Sequence, residues 1–202
     1  MSDDNNAKAQ SNQMMKDYFA NVRKVYSGIE DKVTKYEWDK EVAPGITSVA
    51  TPGHTANHMA FALTGTDVLF SGDHVMAWST PVVAPPDGAM SDYMASLEKL
   101  ARRQETTYFP GHGGAVRDAP RFVAHYIRHR RDREQSILHQ LSKGKVDIPT
   151  LVRAIYIGLD PRLVKAASLS VLAHLEDLVA RGQVLTDGPL SLDGIYRGRD
   201  GD

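Results

Sequence analysis

The sequence predicts an α+β fold in two parts, and three observations predict it. Three short apolar runs, Ile46–Ala50, Met59–Leu63 and Val68–Phe70, are each bounded by Gly, Pro, Thr or Asp and read as consecutive strands. Residues 118–141 then carry Phe122, Val123, Tyr126, Ile127, Leu138 and Leu141 in one long helical pattern. Beyond Gly144, two more helical patterns are followed by two short strand-like runs. The first part, to about residue 117, is therefore β-rich with an interposed helix. The last part, from about residue 135, is three helices and a small hairpin, and the long helix joins the two.

Taken in order, the polar residues 1–13 read as a disordered tail. Met15, Tyr18, Phe19, Val22 and Val25 recur at helical spacing from Met14 to about Ile29, and residues 32–39 alternate like a strand. Pro44-Gly45 makes a turn, and Gly65-Thr66-Asp67 spaces two strands at hairpin length. A long loop follows Phe70, since its Pro-Pro and Asp-Gly pairs forbid regular structure. Ser91 is expected to cap a helix with Tyr93, Met94, Leu97, Leu100 and Ala101 on one side. Thr106–Phe109 is a fourth strand, stopped by Pro110-Gly111. Pro149 sits in the first turn of a helix carrying Leu151, Val152, Ile155 and Tyr156. Asp160-Pro161 opens another, which stops at Gly182. Gln183–Leu185 and Ile195–Arg197 flank a turn-rich stretch.

Composition excludes several chemistries. The 202 residues contain no cysteine, which removes disulfides, thiolate ligands and cysteine nucleophiles. A metal would have to be held by His, Asp and Glu. The formal net charge of −1 gives no global field for nucleic acid or an acidic membrane. The N-terminus lacks a signal-peptide pattern and no apolar run approaches a membrane span, so a cytoplasmic location and no membrane partner are expected.

Three segments carry the candidate chemistry: TPGHT with His54, SGDH with Asp73, and PGHG with His112. Each follows a predicted strand and opens a loop. Ends of neighbouring strands converge at one sheet edge even when distant in sequence. A glycine precedes each candidate and permits close packing or a positive φ. Imidazole and carboxylate are suitable zinc ligands.

In this order the three segments resemble the metallo-β-lactamase-fold hydrolases, most of all the β-lactamase-like protein 2 group and its bacterial relatives. SGDHVMAWSTPVVAPPDGAMSDYMASLEKL and the arginine-rich HRRDRE stretch resemble that group too, and the likeness covers most of residues 44–185. The resemblance implies a zinc-dependent hydrolase with two metals per site. His54 would bind the first metal, Asp73 would bridge both and His112 would bind the second. It also implies the C-terminal half of an αββα sandwich over residues 14–134, and a winged-helix-like domain over 135–202. The reaction implied is attack by activated water on an ester, a thioester or a phosphodiester, so the partner is a small molecule or an RNA.

The family's hallmark HxHxDH motif, which supplies two ligands to each metal, is not found. The chain has no HxH, and no histidine precedes His54. This reads as a chain lacking the N-terminal half, truncated and catalytically impaired on its own. Its inner sheet face would be bare and would need a homo-oligomer or a complementing half. The alternative is a non-catalytic binding or oligomerisation module derived from the family. No catalytic residue is assigned.

Other residues rank lower. His58 and His74 are expected to line the pocket, while His125, His129 and His139 are ordinary helix residues. The arginines at 121, 128, 130, 131 and 133 read first as a solvated helix face, with phosphate contact as the functional alternative. The helix ASLSVLAHLEDLVARG is poor in basic residues, which argues against major-groove reading.

Overall fold

The computed structural model describes residues 39–199. The expected tail, the helix from Met14 and the strand over 32–39, save Asp39, lie outside them. Strand β1 (Glu41–Ala43) turns at Pro44-Gly45 into β2 (Ile46–Ala50). Next come β3 (Met59–Leu63) and β4 (Val68–Gly72), with helix α1 (Met90–Ala101) crossing over to β5 (Thr107–Pro110). The five strands form one sheet in sequence order. The pairs are antiparallel except β4 with β5, which is parallel. A parallel pair needs a crossover rather than a hairpin, and the long loop plus α1 supplies it.

Strand alternation divides the sheet's residues. Ala60, Ala62, Leu69 and Tyr108 are buried, and they cluster with Tyr93, Leu97 and Leu100 of α1 and with Val123 and Tyr126 of helix α2 (Ala119–Leu141). Between them in sequence, Phe61, Leu63, Phe70 and Phe109 are exposed. Phe70 is in register with both Phe61 and Phe109, and its ring centroid lies 5.8 Å from that of Phe109. The chain thus presents an apolar stripe on one face of the sheet.

Helix α2 is started by the Asp118 carboxylate, which accepts from the Arg121 N–H, and by a proline in its first turn. Its first half packs in the sheet core. Ile137 and Leu141 belong to a second core with helix α3 (Ile148–Ile155), helix α4 (Val164–Ala180) and strands β7 (Val184–Thr186) and β8 (Ile195–Gly198). Strand β6 (Val146–Asp147) pairs with β8, giving a small sheet in the order β6-β8-β7. The boundary expected at residue 134 falls inside α2, where its buried residues pass from one core to the other.

Two helix starts differ from expectation. Ser91 lies inside α1, and the N-cap is Ala89, with no side-chain cap bond. The chain is pinned there tertiarily instead, because the Ala89 N–H donates to the Gly53 carbonyl at 3.0 Å. Asp160 does cap, but it caps a 3-10 turn, Pro161–Leu163, that runs on into α4.

Candidate metal-site edge

The three glycine-bearing segments meet at one edge of the five-stranded sheet. His54 follows β2, Asp73 follows β4 and His112 follows β5. Asp73 lies between the two histidines. His112 Nε2 is 3.6 Å and His54 Nε2 is 4.0 Å from Asp73 Oδ2. The fold thus brings together three residues spread over 59 positions of the sequence.

The glycines explain why the segments can come this close. Gly53 has φ +127, and a Cβ there would fall 2.2 Å from the Tyr93 backbone. Gly72 has φ +53, and its Cβ would strike His58 Nε2 at 2.7 Å. A Cβ on Gly111 would come within 2.6 Å of Asp73 Oδ1. At Gly53 and Gly72 only glycine tolerates both the left-handed backbone and the close approach, while at Gly111 the approach alone requires it.

His54 and His58 are each oriented by a different neighbour. His54 Nδ1 lies 2.8 Å from the Val82 carbonyl oxygen, which acts only as an acceptor. Nδ1 therefore carries the proton, and Nε2 keeps its lone pair on the Asp73 side. His58 Nε2 accepts the Asp73 N–H at 3.1 Å, and its Nδ1 is 2.8 Å from Thr51 Oγ1. Burial holds the His58 pKa below its ordinary value, and the nearby His54 adds to this. His58 is thus committed to holding the Asp73 backbone. His74 is fully buried, so it does not line open space. Its ring packs 4.4 Å from Tyr93 and neither ring nitrogen has a partner among the described residues. Burial pushes its pKa down to about 3.

The loop that supplies the Val82 carbonyl is fastened from helix α2. The Tyr126 hydroxyl lies 2.7 Å from the Met76 carbonyl oxygen and 2.6 Å from that of Ser79. Arg130 donates through Nη2 to the Pro81 carbonyl and stacks over the Tyr93 ring at 5.1 Å. Sequence reasoning missed Val82, Tyr126 and Arg130 as supports, because a backbone acceptor leaves no signature in residue type. It also treated the arginines as one solvated face. Instead Arg130 is 4% exposed, and Arg133 stacks on Tyr156 at 4.0 Å and donates to the Ile155 carbonyl. Arg131 pairs outward with Glu98. The helical period turns positions 130 and 133 inward and 131 outward.

The donor types fit a borderline divalent ion such as zinc. Two ligands of one tetrahedral zinc lie roughly 3.4 Å apart. The His112–Asp73 separation is close to this and the His54–Asp73 separation is wider. Among the described residues, no three His, Asp or Glu side chains are drawn together tightly enough to hold an ion.

Known proteins agree with this architecture. Residues 20–112 match the Metallo-beta-lactamase superfamily, a stretch that contains His54, Asp73 and His112. Residues 148–189 match the Beta-lactamase associated winged helix domain. Residues 20–112 thus carry a metallo-β-lactamase superfamily domain, followed by the winged helix associated with it. The chain is 34% identical over 139 residues to a Drosophila melanogaster protein described as a beta-lactamase-like protein 2 homolog. That match covers 67% of this chain and 46% of the relative. The Caenorhabditis elegans homolog is 38% identical over 95 residues, covering 47% of this chain and 31% of that one. The matches thus span less than half the length of either curated relative. Among solved structures, a metallo-beta-lactamase family protein from Thermus thermophilus superposes with a TM-score of 0.69 at 26% identity. The superposition covers 81% of this chain and 54% of that one. A beta-lactamase domain protein from Burkholderia ambifaria, at TM-score 0.65 and 21% identity, shares the fold over 81% of this chain and 51% of its own.

Proposed function

We propose that His54, Asp73 and His112 are part of the ligand set of a zinc site in a hydrolase acting on an ester, a thioester or a phosphodiester. The observation that carries this is the convergence of both Nε2 atoms on one Asp73 carboxylate oxygen, with His54 turned there by the Val82 carbonyl. When bound, zinc would supply Lewis acidity toward the substrate oxygen and lower the pKa of water. The residues of this chain do the positioning. Asp73 holds negative charge between the imidazoles, and His58 fixes the Asp73 backbone through its accepted hydrogen bond.

The sequence carries no HxHxDH motif, and among the described residues no three His, Asp or Glu side chains gather to hold an ion, so the polypeptide alone is expected to bind zinc weakly and to hydrolyse slowly. A second polypeptide or a second copy would supply the remaining ligands. The exposed Phe61, Phe70 and Phe109 stripe supports such a partner and equally supports the second reading, a non-catalytic oligomerisation module. Among the described residues, no helix is long and apolar enough to cross a membrane. A cytoplasmic setting is consistent with the absence of cysteine. An RNA substrate is the weaker choice, since α4 carries a single basic residue, Lys165, besides its buried His174.

Equilibrium dialysis against zinc followed by metal analysis, on wild type and Asp73→Asn, tests the site. Measurable zinc that the substitution abolishes is expected. Equal zinc in the two proteins would sink the ligand assignment. Zinc binding without hydrolysis of 4-nitrophenyl acetate or a phosphodiester, even with a complementing polypeptide, would favour the module.

A further inference from the structure

Arg130 carries a fixed positive charge and is only 4% exposed. Taking a guanidinium out of water is costly unless its contacts compensate. Two of its contacts bear on the candidate ligands. Its Nη2 donates to the Pro81 carbonyl, and the guanidinium lies over the Tyr93 ring, 5.1 Å from the centroid.

The first contact leads to His54. The Pro81 carbonyl and the Val82 N–H share one peptide plane, so a bond to that oxygen fixes the backbone on the N-terminal side of Val82. On the C-terminal side Val83 is fully buried. The Val82 carbonyl is thus set from both sides, and it stands 2.8 Å from His54 Nδ1. That distance decides the tautomer. An imidazole whose Nδ1 donates keeps its lone pair on Nε2, the atom 4.0 Å from Asp73 Oδ2. Without the acceptor, the ring is free to place its proton on Nε2, where a metal would bind.

The second contact leads toward Asp73. The Tyr93 hydroxyl donates to the His74 carbonyl at 2.9 Å, and burial pushes its pKa up, so it stays a donor. His74 directly follows Asp73. One guanidinium therefore bears on the backbone supports of two candidate ligands from different segments. Its neighbours on the helix act elsewhere. Tyr126, one turn earlier, holds the Met76 and Ser79 carbonyls, and Arg131 pairs outward with Glu98.

We propose that Arg130 is a positioning residue for the metal site: through the Pro81 carbonyl it holds the Val82 carbonyl against His54, and so keeps His54 Nε2 free of its proton for a metal ion. The proposal rests on the zinc-site reading of His54, whereas the tautomer itself is measured without metal.

Protein labelled with nitrogen-15 in its histidine rings is stripped of metal. It is examined at about pH 8.5, above the ordinary imidazole range, by two-bond nitrogen–proton correlation, with His54 assigned from a His54→Asn spectrum. Wild type should show His54 as the Nδ1–H tautomer. Arg130→Gln, too short to reach Pro81, should lose that pattern and show Nε2–H signals for His54. Arg130→Lys, which keeps a charged donor of nearly full reach, should retain the Nδ1–H pattern. Two controls separate positioning from general loosening. His112, on the other side of Asp73, should keep its wild-type ring signals in Arg130→Gln. Tyr126→Phe frees the Met76 and Ser79 carbonyls but leaves the Pro81 bond, so His54 should stay as in wild type. Zinc affinity, read by competition with a chelating dye, should fall roughly tenfold in Arg130→Gln.

An unchanged His54 tautomer in Arg130→Gln, or an equal change in Tyr126→Phe, overturns the positioning role, as does a zinc affinity that ignores the tautomer. Should Arg130→Gln not fold, Arg130→Met replaces it, and a wild-type His54 carrying its proton on Nε2 overturns the proposal without any variant. A tautomer that follows Arg130 in a protein that takes up no zinc upholds the positioning and removes the zinc reading. Zinc lost on Asp73→Asn but held equally by wild type and Arg130→Gln, with His54 unchanged, does the reverse.

Discussion

The two faces of the five-stranded sheet are made by the same strands and live in opposite environments. Ala60, Ala62, Leu69 and Tyr108 are sealed under α1 and α2, whereas Phe61, Phe70 and Phe109, one position away on the same strands, stay exposed. A period of two puts neighbours on opposite faces, so residue size alone does not say which face is the core. Here the larger side chains of β3 and β4 lie on the open face and the alanines on the closed one. Small residues beneath α1 and α2 let the helices pack close to the sheet. The site edge lies where the two faces meet, and its geometry depends on the closed face through Tyr93 and Tyr126.

That contrast can be broken in graded steps. Gly53→Val should have the largest effect. Its Cβ would overlap the Tyr93 backbone at 2.2 Å, so a loss above about 3 kcal/mol, or no soluble protein, is expected in urea melts. Leu69→Ala on the closed face should cost about 2–5 kcal/mol by the same measurement, as a fully buried leucine leaves a cavity. Tyr126→Phe should cost about 1–2 kcal/mol, because the single O–H proton shared by the Met76 and Ser79 carbonyls is lost, and it should raise hydrogen exchange in the loop around Trp78. Phe70→Ala, at 47% exposure, should cost about 1 kcal/mol or less in the monomer. It should weaken any self-association seen by sedimentation; an unchanged association would place the interface elsewhere.

Acid provides a further comparison, between the exposed site histidines and the buried ones. His174, on α4, is 1% exposed, with neither ring nitrogen partnered among the described residues, and burial pushes its pKa down to about 3. In the unfolded chain a histidine titrates near 6.5. Between these values the unfolded state holds the extra proton. Stability is therefore full above about pH 6.5 and falls as pH drops toward 3, by roughly 2 kcal/mol at pH 5 from this group. His174→Leu should flatten the pH dependence of the urea midpoint between pH 7 and 5. An unchanged slope would show that His174 finds a partner when charged.

Much was legible in the amino-acid order. The short strands, the long helix and the helical tail follow from period and punctuation, because local backbone preference and the hydrophobic pattern agree there. His54, Asp73 and His112 were legible as a set, since each stands after a glycine at a strand end and the three occur in a known order. What sequence could not show was burial among like residues. Arg130 and Arg131 are adjacent and identical in type, yet one stacks on Tyr93 inside and the other pairs with Glu98 outside. His74 follows Asp73 directly but lies in the core, while Asp73 opens to the site.

By itself, then, the sequence determined the superfamily, the order of the elements and the identity of the converging trio, because these are written in residue type and spacing. Only the tertiary structure decided that the Val82 carbonyl turns His54, that His58 holds the Asp73 backbone, and that Arg130 turns inward to the Pro81 carbonyl. Those facts depend on backbone carbonyls, on contacts between segments distant in sequence and on which face a helix turns inward. None of these is a property of any residue alone.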